Sequence, residues 1–314
     1  MEYRRLGSAG LKVSALGLGT NNFGERMDER ASVGIVHAAL DVGINFIDTA
    51  NRYGNGHSEE FIGKALKGRR WQGLIGTKFG RNAGKGPNDA GGSRQHIMKA
   101  VEDSLRRLDT DYIDLYQMHV ADAETPIEET LRALDDLIRQ GKVRYIGCSG
   151  FRAWELCEAL WTARALSLNS FVSVQPPYNL LEREIEEDLV PLCRRYNVGI
   201  IPYHPLAAGF LTGKYREGKP IPPGTRFALT PRHNHFFSEE NFSRLAKLER
   251  FAQERRHSIA ELALAWLFAN PQMSTVIAGA STPEQITANL RALEWQLTDE
   301  DLGEIGRIVR SDDA

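Results

Sequence analysis

Short apolar runs alternate with amphipathic stretches along almost the whole chain. Ala15 to Gly19, Asn45 to Asp48, Leu74 to Lys78, Tyr112 to Met118, Val143 to Cys148, Phe171 to Val174, Val198 to Pro202 and Ser274 to Ile277 read as strands. Their apolar content is mostly continuous, as expected of strands buried on both faces. Helical spacing fills the gaps. Asp28 is placed to cap a helix running to about Asp41, and Ser58 to Leu66 form the next. Ser93 caps a helix whose Ile97, Val101, Leu105 and Leu108 share one face. Pro126 is expected at the first position of a helix with Leu131, Leu134 and Ile138 inward. Trp154 to Ala165, Glu184 to Tyr196, Glu239 to Arg255, Ile259 to Phe268, Pro283 to Leu293 and Asp299 to Val309 complete the helices.

Eight strand-then-helix units require parallel strands joined by crossovers. Eight units with no compositional break favour closure, so the expectation is an α/β fold, a (β/α)8 TIM barrel in one domain spanning 1–314. Arg4 to Ser14, with the turn Ser8-Ala9-Gly10, predicts a β-hairpin ahead of it. Ala207 to Ser238 predicts a long irregular loop after strand seven, and so a functional candidate. Extra helices follow at the C-terminal end.

Composition narrows the partners. The 314 residues are 42% hydrophobic and 25% charged, with a formal net charge of −2, which does not suit a nucleic-acid partner or an anionic membrane surface. No signal-like apolar run follows Met1-Glu2-Tyr3-Arg4-Arg5, and no apolar stretch approaches the roughly 18 residues of a membrane span. A cytoplasmic location with no membrane partner is expected. Cys148, Cys157 and Cys193 form no CxxC pair, and their odd number predicts reduced, structural residues. His233 and His235 stand two apart with no third ligand in view, so no metal site is expected. Trp71, Trp154, Trp161, Trp266 and Trp295 read as core or interface anchors.

In such a barrel the chemistry belongs at the C-terminal strand ends. Asp48 ends strand two, with Tyr53 five residues on; Lys78 ends strand three and His119 strand four. Ser149, Gln175 and Tyr203 end strands five to seven, and Gly279 follows strand eight. A tyrosine, titrating near ~10 when free, exchanges protons poorly at neutral pH, and an adjacent ammonium favours its ionised form. Lys78 is the candidate ammonium, Asp48 its counter-ion and His119 a donor to a carbonyl oxygen. The set suits protonation of an oxygen that gains negative charge. No side chain delivers hydride, so a cofactor is required. The run Gly17 to Gly24 lacks the GxGxxG spacing, which disfavours a Rossmann dehydrogenase.

Asp48-Thr49-Ala50-Asn51-Arg52-Tyr53-Gly54, Gly76-Thr77-Lys78, Asp114 to His119 and Gly141 to Ser149 together resemble the aldo-keto reductase family. The similarity runs from about Arg4 to Leu293. The opening Glu2 to Gly7 is similar to the branch holding potassium-channel β-subunits and bacterial relatives. The resemblance implies NADPH-dependent reduction of an aldehyde or ketone, with Tyr53 as acid-base, Lys78 and Asp48 tuning it and His119 orienting substrate. It implies NADPH, in preference to NADH, lying across the strand ends. Tyr203 would stack on the nicotinamide, Ser149 and Gln175 would bind its carboxamide, and Thr20 and Asp48 would lie alongside. Leu206, Gly209, Leu211, Gly213, Lys214 and Arg226 would meet the phosphates. Gly279, Ser281, Gln285 and Asn289 would meet the adenosine, and Asn22 and Phe23 would join Tyr53 and His119 around a small carbonyl substrate, a sugar or other polyol. Gly150, His204, Ser281 and Ala288 differ from residues frequent in the family. A cofactor-binding regulatory subunit without turnover is the alternative, and a homo-oligomer remains open.

Overall fold

The computed structural model describes residues 1–310 apart from Ala83 and Thr230, and only the backbone of Arg226, Leu229, Pro231, Arg232 and His233. β1 (Tyr3–Arg5) and β2 (Lys12–Ser14) pair antiparallel. The following strands and helices are β3 (Leu16–Gly19), α1 (Glu29–Asp41), β4 (Phe46–Asp48), α2 (His57–Ala65), β5 (Leu74–Phe79), α3 (Arg94–Leu108), β6 (Ile113–Met118) and α4 (Ile127–Arg139). Then come β7 (Val143–Ser149), α5 (Ala153–Ala165), β8 (Ser173–Gln175), α6 (Leu189–Tyr196), β9 (Gly199–Ile200), α7 (Arg226–Leu229), α8 (Glu239–Glu254), α9 (Ile259–Phe268), β10 (Val276–Gly279), α10 (Pro283–Arg291) and α11 (Asp299–Arg310). Local chemistry sets several starts. Asp28 accepts from the Ala31 N–H and Ser93 from that of His96, while Ser258 and Glu261 cap each other's backbone reciprocally.

The strands lie parallel in the order β10-β3-β4-β5-β6-β7-β8-β9. The two ends of that order meet: the N–H of Ile200 donates to Gln272 O at 3.1 Å, that of Ser274 to Ile200 O at 2.9 Å and that of Ile277 to Pro202 O at 3.0 Å. The sheet therefore curls into the (β/α)8 barrel. Its N-terminal mouth is plugged. Leu6, Ala9 and Val13 of the β1–β2 hairpin pack with Phe46, Leu115, Ile201 and Ile277 from inside the barrel. Burial of Leu6 and Val13 stabilises the plug by roughly 1.5–3 kcal/mol each. Gly7 makes the fit possible. With φ +53°, a Cβ there would lie 2.2 Å from Val172 O. With one end plugged, the opposite rim is left for chemistry.

Several boundaries differ from the sequence reading. Pro126 is the N-cap, and the helix starts at Ile127. Glu184 to Tyr196 is not one helix but a 3-10 turn, Glu184–Glu186, followed by α6. Pro191 explains the break, because its ring inside a longer helix would clash with the carbonyl of Glu187. The stretch Ala207 to Ser238 is not irregular. It holds 3-10 turns at Ala207–Thr212 and Pro231–Phe236 around α7. Phe210, Tyr215, Phe227 and Phe236 are buried there, pack against one another and extend the main hydrophobic core. Trp266 lies in the barrel's core, whereas Trp71, Trp154 and Trp161 are largely exposed. Cys148, Cys157 and Cys193 are free thiols. Among the described residues no cluster of metal-ligand type occurs, and the His233 side chain lies outside them. No helix among them is long and apolar enough to cross a membrane.

Candidate active site

Strand register brings the titratable groups to one rim. β4 pairs Asp48 with Gly76, and β5 pairs Lys78 with Gln117 of β6. Lys78, fully buried, donates to both Asp48 carboxylate oxygens at 2.8 and 2.7 Å and to Thr49 O at 2.8 Å. Asp48 Oδ1 also accepts from the Gln175 amide at 2.8 Å and from that of Gln117 at 3.4 Å. A charge pair removed from water survives only when its remaining lone pairs and protons are satisfied, and these contacts satisfy them. The Asp48 carboxylate and then Tyr53 outweigh the burial that opposes the charge of Lys78, so its pKa lies above the usual lysine value.

Tyr53 opens a 3-10 turn, Tyr53–Gly56, just beyond β4. Its ring meets that of His119 edge-on at 5.9 Å, with Lys78 Nζ 5.3 Å from the Tyr53 ring centroid. The turn is held by close backbone approach. A Cβ on Gly54, at φ +55°, would lie 2.5 Å from Phe23 O. Burial raises the Tyr53 hydroxyl above the ordinary tyrosine pKa; Lys78 opposes this by charge and hydrogen bond, and Asp48 adds to it. Lys78 does lower this pKa, as expected, but burial, with Asp48 adding to it, leaves the net direction upward. The phenol keeps its proton at neutral pH. His119 is pushed down to about 2 by burial and by the charges of Lys78, Arg81 and Arg52, so its ring is neutral. Its Nδ1 is buried without a hydrogen-bond partner. A neutral phenol beside an ammonium and a neutral imidazole form a proton-donating corner.

The residues expected around a cofactor fall in three groups. Ser149 and Gln175 are adjacent in register, and the Ser149 hydroxyl donates to Gln175 O at 2.9 Å. The lone pairs of that hydroxyl and the amide oxygen of Gln175 remain as acceptors, suited to a carboxamide NH2. Tyr203 follows β9, half-buried, and bridges to Pro177 just past β8. Second is the turn beyond it. Ala207, Ala208 and Gly209 have φ of 47°, 55° and 102°, and the N–H groups of Gly209 and Leu211 both donate to Leu206 O. Two alanines in the left-handed region cost energy, and such strain gathers at ligand clamps. Lys214 is exposed beside Gly209, beyond Gly213, and makes no ion pair among the described residues. Leu211 is fully buried, so only its backbone is available. The side chain of Arg226 lies outside the described residues. Third, Gly279, opposite Gly19, leads into α10, where the Ser281 N–H donates to Gln285 Oε1 at 2.7 Å and Asn289 lies one turn further on. The three groups follow the barrel rim in order. An unpaired cation, a strained backbone turn and free amide acceptors fit an extended anionic dinucleotide with a carboxamide ring.

Three expected side chains point elsewhere. Thr20 is buried and hydrogen-bonded to Asp48 O and to Ser58, so its hydroxyl supports the rim from beneath. Phe23 is fully buried and belongs to the hydrophobic core. Asn22 turns its amide to Met27, Ala280 and Ser281, on the α10 side. The sequence reading missed Gln117. Its signal was available: a glutamine two residues before His119, and so on the same face of an apolar strand.

The aldo/keto reductase family model matches residues 15–310. A probable voltage-gated potassium channel subunit beta from Oryza sativa subsp. japonica is 39% identical, over 99% of this chain and 97% of that protein. Aldo-keto reductase YhdN of Bacillus subtilis is 36% identical over 99% and 94%. The L-glyceraldehyde 3-phosphate reductase of Escherichia coli K12 is 35% identical over 93% and 88%. The chain belongs to the aldo/keto reductase family and is an NAD(P)H-dependent oxidoreductase acting on carbonyl and alcohol groups.

Proposed function

We propose that the chain is a cytoplasmic, NADPH-dependent aldo-keto reductase that converts a small aldehyde or ketone to its alcohol, reversibly, with Tyr53 as general acid and base. The observation that carries this reading is the buried Asp48–Lys78 pair with Lys78 Nζ 5.3 Å from the Tyr53 ring, which in turn meets the His119 ring edge-on. The nicotinamide supplies the hydride. His119 donates a hydrogen bond to the carbonyl oxygen and turns it towards Tyr53. Tyr53 then gives its proton to that oxygen as negative charge develops there. Lys78 steadies the phenolate left behind, and Asp48 keeps Lys78 in place. Gln117 and Gln175 hold Asp48, and Gln175 with Ser149 receives the carboxamide. Lys214 and Arg226 meet the 2′-phosphate, while Ser281, Gln285 and Asn289 meet the adenosine.

The whole of 1–314 acts in this reading as one barrel domain, and its substrates are small carbonyl compounds such as sugars or other polyols. The test is oxidation of NADPH, and separately NADH, with a panel of aldehydes, ketones and open-chain sugars. Turnover with NADPH supports the proposal. Absence of turnover with either cofactor across the panel would end it.

A second reading rests on the rice relative, whose name is that of a channel subunit and which matches nearly the whole chain. It casts this protein as a cofactor-occupied regulatory subunit. Tight NADPH binding with no carbonyl turned over would favour it.

A further inference from the structure

We infer that the substrate of this site carries an anionic group, a carboxylate or phosphate, held by Arg52 and Arg81. The inference rests on the reductase reading of the rim and names the substrate class that the rim selects. Arg52 directly precedes Tyr53 and caps the turn that presents it. Arg81 stands three residues after Lys78, just beyond the end of β5. Between them Gly80, at φ +100°, bends the chain beside the backbone of His119, since a Cβ on Gly80 would lie 3.8 Å from the His119 N. The His119 N–H donates to Phe79 O at 2.8 Å, which fixes that corner. Arg52 thus adjoins Tyr53 in the chain, and Arg81 follows the bend that packs beside His119.

Charge decides what they are for. Within the rim the Asp48 carboxylate and the Lys78 ammonium compensate each other, while Tyr53 and His119 are neutral. Apart from Lys214 at the turn after β9, the uncompensated charges that act on His119 are those of Arg52 and Arg81. Both are exposed, and neither makes an ion pair among the described residues. The nearby acids are engaged elsewhere. Asp89 binds Lys99 and the Gly86 N–H, and Asp122 binds the Gly92 N–H and Thr125. Arg70 and Arg107, by contrast, are paired with Asp114 and Glu59. A neutral aldehyde has no need of two unpaired guanidinium groups. A carboxylate or phosphate a few bonds from the carbonyl matches their forked donors. Their charge is felt at the site itself, since both help keep the His119 ring neutral.

The test compares kcat/KM for matched aldehydes: succinic semialdehyde against its methyl ester, and a phosphorylated triose against the free triose. Expected is a preference of roughly tenfold or more for the anionic member, falling as salt rises from 0.05 to 1 M and the screening length shrinks from above ~10 Å to ~3 Å. The ratio should drop to near unity in the Arg52→Ala, Arg81→Ala double variant. The two pairs distinguish carboxylate from phosphate recognition. Calorimetric titration with succinate against succinamide reads the same preference without turnover. Loss of reduction with retained succinate preference would overturn the reductase reading and leave this one standing. Equal handling of charged and neutral partners in both assays, or a preference that survives the double variant, would overturn this one.

Discussion

Lys78 grips both carboxylate oxygens of Asp48, at 2.7 and 2.8 Å, with its side chain wholly shut off from solvent. Two adjacent barrel strands, β4 and β5, are thereby tied together just below the turn that carries Tyr53. The pair is costly to break from one side, because the survivor is left as an uncompensated buried charge. Asp48→Ala is expected to destabilise the protein by about 3–5 kcal/mol in chemical denaturation. Replacing both residues, as in an Asp48→Asn, Lys78→Met double variant, should cost less than Asp48→Ala alone. A double variant less stable than the single one would contradict this account.

Tyr53→Phe removes one hydroxyl and little else. Carbonyl reduction should fall by roughly 10²–10⁴-fold, while NADPH affinity by fluorescence titration stays within about a factor of three. The wild-type reduction rate should hold across neutral pH and decline only above the ordinary tyrosine pKa of ~10, because burial raises that of Tyr53. A basic limb well below that value would show that Tyr53 is not the proton donor.

His119 is held neutral down to about pH 2 in the folded chain. An unfolded histidine titrates near ~6.5, so between these values the unfolded state binds more protons than the folded one. Stability from this residue is therefore fully present above pH ~6.5 and is lost as pH falls below it, by at most about 1.4 kcal/mol per pH unit. The His119 ring signals should not titrate between pH 5 and 8 in NMR. His119→Asn should flatten the acid side of the stability profile; an unchanged slope would refute the assignment.

Gly54 touches no substrate, yet it sets where Tyr53 stands. Gly54→Ala places a methyl 2.5 Å from Phe23 O at φ +55°, a strain of about 1–3 kcal/mol. The expected outcome is a folded protein with sharply lower kcat and a KM for cofactor close to wild type. Unaltered kcat would mean the turn does not position the phenol.

Lys214→Ala tests the cofactor end. Loss of a charge-assisted contact should weaken NADPH binding roughly tenfold and leave NADH binding nearly unchanged. Equal weakening of both would move Lys214 away from the 2′-phosphate.

The sequence by itself determined whatever depends on near neighbours. The caps at Asp28 and Ser93 are local hydrogen bonds. The strands are legible because burial on both faces demands continuous apolar residues. Asp48, Lys78 and His119 stood out as charged or polar residues where those runs end. Tertiary structure decided matters between distant segments. Gln175 reaches Asp48 across 127 residues, which nothing local announces. Phe23 reads as a rim residue by its place beside Asn22, yet it is fully buried in the hydrophobic core. The segment after β9 reads as loop because its Gly and Pro residues dominate locally, yet its aromatics find one another and join the main core. The sign of the Tyr53 shift also belongs to the fold, since it weighs burial against a lysine already committed to Asp48. A residue's type fixes the chemistry it can offer. Which partners and how much water surround it follow from packing, and packing sums over the whole chain.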